Sequence, residues 1–154
     1  MRIVSILENQ KIEKRIAITP DVAKKYIDLG FELSLAENYG EHLGISDKIY
    51  KDCGASISKD VKEIIINSDL IVQMGLLSDD NLKLLKQNQN IIGILNPYTN
   101  NDKLKNIAKK QINLFSLDLL PRITRAQSMD VLSSQANLAG YKAVIESFSN
   151  FEKA

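Results

Sequence analysis

Short apolar runs rich in β-branched residues alternate along the chain with segments of helical spacing. Arg2–Leu7 reads as a strand, followed by a polar loop from Glu8 to Lys14 and the short run Arg15-Ile16-Ala17-Ile18. Thr19-Pro20 is a helix start, with Thr as N-cap and Pro at the first helical position. That helix runs to Leu29, where Gly30 stops it. Phe31–Ala36 is the next strand. Ser46 caps a short helix ending at Cys53-Gly54, Ala55–Ile57 is a weak strand, and Ser58 opens a helix through Ile66. Asp69–Met74 and Asn90–Leu95 are strands with little polar alternation. Between them, Ser78-Asp79-Asp80 caps a helix containing Leu82, Leu84 and Leu85. After the turn pair Asn96-Pro97, a helix begins at Asn101-Asp102 and reaches Lys110. Ile112–Leu117 is the last strand, residues 118–127 are irregular, and a long helix runs from about Ser128 to about Asn150.

Strands alternating with helices imply βαβ units, hence a parallel sheet. Apolar runs without clean alternation belong to strands covered on both faces. The expected fold is α/β: a doubly wound, Rossmann/flavodoxin-like, mostly parallel sheet with helices on both faces. Residues 1–127 form the lobe, and 128–154 the long C-terminal helix. Along that helix Met129, Leu132, Ala136, Ala139 and Ala143 follow each other at three- and four-residue steps, a stripe expected to face the core of the lobe.

Composition removes several classes. The 154 residues are 44% hydrophobic and 25% charged, which suits a globular domain and not disorder. No apolar run reaches the ~18–20 residues of a membrane span. No leader is expected ahead of Met1-Arg2-Ile3-Val4. A formal charge of +1 without a long basic run gives no footprint for nucleic acid. One cysteine, Cys53, allows no disulfide framework and no cysteine metal site, and it reads as a small buried filler. His42, the only histidine, lies in the turn-rich stretch Asn38–Gly44 and reads as solvated. Within the 20 basic residues the arginines are few: Arg2, Arg15, Arg122 and Arg125. A planar fork with several fixed donors is chosen where a solvated lysine will not serve.

Ligands of open α/β sheets bind beyond the carboxyl ends of the strands. The loops after Leu7, Ala36, Met74, Leu95 and Leu117 therefore matter, and none carries GxGxxG or a Walker loop. The loop after the last strand stands out. Pro121-Arg122-Ile123-Thr124-Arg125-Ala126-Gln127-Ser128-Met129-Asp130 gathers two Arg, a Gln, a Ser, a Thr and an Asp before a helix N-terminus. Such groups can meet an amide or a carboxylate. The same residues also have an ordinary reading: Ser128 as N-cap and Asp130 complementing the helix dipole.

The stretch from Pro121 to Val144 resembles the signature of the NAD(H)-binding domain of proton-translocating NAD(P) transhydrogenase alpha subunits. Glu13-Lys14-Arg15-Ile16-Ala17-Ile18-Thr19-Pro20 is similar to the opening motif these subunits share with alanine dehydrogenases. The resemblance implies hydride transfer from NADH on this subunit to NADP⁺ on a partner domain, coupled to proton translocation. It implies NAD(H) contacts from Arg122, Ile123, Thr124, Gln127, Ser128, Asp130 and Ser133. Gln127 and Asp130 would be catalytic, with Gln127 reaching toward the partner's nucleotide, and no metal would take part. The implied partners are a Rossmann NAD-binding lobe that the long helix would lead into, an NADP(H)-binding domain, a membrane domain and a second subunit. The implied location is cytoplasmic, peripheral on the inner face of the membrane. The rival is an amino-acid dehydrogenase of the alanine type. Its substrate-binding Lys aligns with Gly75 and its catalytic His with Asn96, so of that set Arg15 alone remains. A third reading is a non-catalytic interaction module.

Overall fold

The computed structural model describes residues 1–152, which fall into two compact units, Met1–Ser116 and the segment from Leu117 onward. The first unit holds strands β1 (Arg2–Ser5), β2 (Glu32–Ala36), β3 (Ser56–Ser58), β4 (Leu70–Val72), β5 (Asn90–Gly93) and β6 (Asn113–Ser116). Helices α1 (Pro20–Asp28), α2 (Asp47–Asp52), α3 (Val61–Ile66), α4 (Asp79–Lys83) and α5 (Asn101–Ala108) connect them. All pairings are parallel, in the order β3-β2-β1-β4-β5-β6. The expected doubly wound sheet is present, with its order reversing between β1 and β4.

Successive strand residues point to opposite faces, and two cores result. Val4, Ile6, Ile71 and Ile91 pack with Ile64, Ile65, Leu82, Leu85 and Ile107. Ile3, Leu33 and Leu35 pack with Ile18, Ala23 and Tyr50. Cys53, expected to be buried, is half-buried against the second core.

Caps set the element boundaries. Pro20 opens α1, whose C-terminal turn closes through Gly30 at φ +82°. The helix expected to open at Ser58 instead opens at Asp60, whose carboxylate accepts the Glu63 N–H at 3.0 Å. Ser58 is held in β3 by its pairing with Ala36. Gly93 permits β5 to lie against β4: a Cβ there would stand 2.5 Å from the Gln73 carbonyl oxygen.

The second unit contains two 3-10 turns, Leu117–Leu119 and Thr124–Met129, and helix α6 (Val131–Ser149). The expectation of a helix from Ser128 is corrected. Ser128 belongs to the second 3-10 turn, and Asp130 is the N-cap, accepting from the N–H groups of Leu132 and Ser133. The core-facing stripe is also corrected, since no residue of α6 is buried. The stripe's Ala and Leu are not the only apolar set. Leu138, Tyr141, Ile145 and Phe148 follow the same three- and four-residue steps on another side and are all exposed. A helix apolar on two sides has no single face to turn inward. Among the described residues no helix is long and apolar enough to cross a membrane.

Candidate functional site

Two concave regions hold the sequence-predicted residues. The first lies in the second unit, in the loop leading to α6. Pro121, Arg122, Ile123, Thr124, Ala126, Gln127, Asp130 and Ser133 line a pocket of about 300 Å³. Arg122, Ile123, Thr124, Gln127, Asp130 and Ser133 were all expected to lie together, and they do. Ser128 is exposed and does not line it. Ala126, 5% exposed, anchors the loop, and its N–H donates to the Ile123 carbonyl at 2.9 Å.

Asp130 organises the pocket floor. Its Oδ1 accepts the N–H groups of Leu132 at 3.1 Å and Ser133 at 3.0 Å, and its Oδ2 accepts the Ser133 hydroxyl at 2.6 Å. The Ser133 hydroxyl bond, its backbone N–H and the nearby Arg122 guanidinium hold the Asp130 carboxyl below the usual aspartate range. A carboxylate has about four lone-pair sites, so three bonds leave room for one further donor. Ser133, having spent its proton, offers its oxygen as an acceptor. Arg122 supplies planar donors at the exposed rim. The site therefore presents acceptors on one wall and donors on another, as a carboxamide requires.

The second region is a crevice where β1 and β4 diverge, a cavity of about 610 Å³ reached by Ile6, Glu8, Gln73, Gly75, Asn81 and Lys103. Such a reversal in strand order is where open α/β sheets bind ligands. Arg15 is locked on Glu13: Nε donates at 2.8 Å to Oε1, and a terminal nitrogen donates at 2.6 Å to Oε2. That bond keeps the Glu13 carboxyl below the usual glutamate range. Gly75 carries no side chain toward Glu8, and a Cβ there would lie 3.7 Å from Glu8 Oε2. Asn96 is exposed and takes a left-handed turn at φ +48°. His42 is exposed, as expected, but tethered, its Nε2 donating to the Lys14 carbonyl at 2.8 Å.

Sequence reasoning missed a buried polar chain beneath this crevice. Gln73, 4% exposed, accepts at Oε1 from the Ser5 hydroxyl and the Ile6 N–H, both at 2.8 Å. Ser5 also shares a 2.8 Å bond with the Tyr39 hydroxyl, which accepts the N–H groups of Ala17 and Ile18 at 3.1 Å. Beyond Gln73, Glu8 Oε1 accepts from Gln73 Nε2 at 3.1 Å, Met74 N–H at 2.6 Å and Gly75 N–H at 3.4 Å. The available signal was Ser5 and Gln73 inside otherwise apolar strand runs, since a polar residue there needs a partner.

Comparison with known proteins defines the class first. The family model described as "Alanine dehydrogenase/PNT, N-terminal domain" matches residues 6–139, and the chain belongs to that family. Within it, the chain is similar to the first of the separately encoded pieces of the NAD(P) transhydrogenase alpha subunit of Rickettsia prowazekii, at 41% identity over all of this chain and 41% of that protein. It is also similar to the crystal structure of transhydrogenase from Sinorhizobium meliloti, with a TM-score of 0.88 and 33% identity, over 98% of this chain and 46% of that one. An L-alanine dehydrogenase structure, at 15% identity and a TM-score of 0.71 over 77% of this chain and 32% of that one, shares the fold alone. The chain spans less than half the length of these relatives.

Proposed function

We propose that this chain is the first lobe of the NAD(H)-binding region of a proton-translocating transhydrogenase alpha subunit. Its loop from Arg122 to Ser133 would hold the nicotinamide end of NAD(H). The carrying observation is the pocket that gathers Arg122, Gln127, Asp130 and Ser133 with their donors and acceptors on facing walls. About 300 Å³ suits the nicotinamide end of a dinucleotide and not its whole length.

When bound, the nicotinamide supplies the hydride chemistry. The chain's residues bind and orient. Asp130 and Ser133 accept from the carboxamide NH₂, and Arg122 donates to its carbonyl or to the ribose. Gln127, exposed at the pocket edge, reaches toward an NADP(H)-binding partner domain and helps set the two rings for direct transfer. Such a site works by proximity and orientation. Ile123 and Thr124 shape the wall. A Rossmann lobe following α6, a membrane domain and a second subunit complete the assembly. On this reading the chain works at the inner face of the membrane.

Support for this reading over an amino-acid dehydrogenase comes from Gly75 and Asn96, which offer neither an ammonium nor an imidazole to a keto acid. The test is NADH titration of the chain joined to the rest of its subunit, followed by backbone amide shifts. The expected result is a set of saturable shifts from Arg122 to Ser133. Shifts confined to other segments would remove the assignment.

A further inference from the structure

The crevice between β1 and β4 is organised around one oxygen. Three N–H donors from three consecutive residues converge on Glu8 Oε1: the Gln73 side-chain amide, Met74 N–H and Gly75 N–H. Consecutive backbone N–H groups at a bend form a concavity that favours anions. The orientation of the Gln73 amide is fixed from behind. Its oxygen already takes the Ser5 hydroxyl and the Ile6 N–H, so its NH₂ must point into the crevice. Gln73 is 4% exposed, and it cannot turn without unpairing these buried donors. The donors are therefore held in place by the sheet and do not depend on Glu8 for their direction.

We infer that this is a built binding site for a small carboxylate, and that the chain occupies it with its own Glu8. The carboxylate arrives from the exit of β1 and fills the position that an external carboxylate would take at the exit of β4. Glu13 and Asp79 line the same cavity and are spent on Arg15 and Lys103. Charge at the donor cluster is thus met from within. The consequence is specificity: small acids do not enter a crevice that stands where an open sheet would bind a ligand. The site lies in the first unit and does not rest on the nicotinamide loop.

The test uses the full 154-residue chain at neutral pH. Glu8→Ala removes the equivalent of one acetate from the crevice. Sodium acetate should raise the Tm of Glu8→Ala saturably, by roughly 2–4 °C beyond sodium chloride at equal ionic strength. The unsubstituted chain should respond equally to both salts. Glu8→Gln keeps the shape and fills the space, so acetate should leave its Tm unchanged, while its Met74 amide proton should move upfield. Equal response of Glu8→Ala to acetate and chloride would overturn the inference. If Glu8→Ala does not fold, an unmoved Met74 amide in Glu8→Gln would overturn it instead.

Discussion

The four arginines divide by what their guanidinium groups meet. Arg2 holds Glu32 through two 3.2 Å contacts, and Arg15 holds Glu13. Both join segments of the first unit. Arg122 faces Asp130 across the candidate pocket, and Arg125 is exposed outside it. Scarcity of arginine in the sequence pointed to one ligand site and, equally, to two internal clasps. The glutamates nearby titrate in opposite senses. Burial, opposed by the Met74 and Gly75 N–H bonds, pushes the Glu8 carboxyl above the usual glutamate value. The folded state thus binds this proton more tightly than the unfolded chain does. Glu8's contribution to stability is fully present below the ordinary value and is lost as pH rises through the raised one. Glu13 behaves oppositely: its contribution is present above the ordinary value and lost as pH falls through its lowered one. Carboxyl carbon shifts followed through an acid titration should give a Glu8 midpoint above that of Glu13. A reversed order would contradict the assignment of which carboxylate is buried and which is paired.

At the scale of elements, the strands and most helices were legible because their cues are local. Apolar runs, Thr19-Pro20, Gly30 and Ser78 each act within one turn of chain. Two features were not legible. The cap at Asp130 competes with Ser128 two residues earlier, and only the 3-10 path of Thr124–Met129 decides between them. The buried chain Glu8–Gln73–Ser5–Tyr39 links residues 34 to 68 apart in sequence, and no spacing rule reaches across β1 and β4 to find it. Its worth can be measured. Tyr39→Phe leaves the Ala17 and Ile18 N–H groups without their acceptor and should cost about 1–3 kcal/mol in chemical denaturation. Full retention of stability would mean that water or a shifted backbone replaces the hydroxyl. Gly93→Ala should be at least as damaging, because the neighbour at 2.5 Å is backbone in a paired strand. A loss of about 1–3 kcal/mol is expected from such overpacking, and a neutral substitution would show that β4 can give way.

For the molecule as a whole, the doubly wound sheet and its reversal between β1 and β4 followed from the alternation of strands and helices. The position of the pocket residues followed from resemblance, which assigned the loop a cofactor that composition could not name. The expected packing of α6 did not hold, because the helix carries apolar residues on more than one side and is exposed throughout. A chain that matches transhydrogenase subunits over less than half of their length presents such surfaces to the rest of the assembly, on the function proposed here. The most direct test is hydride transfer from NADH to NADP⁺ by this chain combined with the remaining lobes of the enzyme. Chains with Arg122 and with Arg122→Ala should be compared at equal folded concentration. The account predicts transfer by the first and a loss of about 10- to 100-fold in the second, the scale of one charge-assisted hydrogen bond. Equal rates from the two would contradict it.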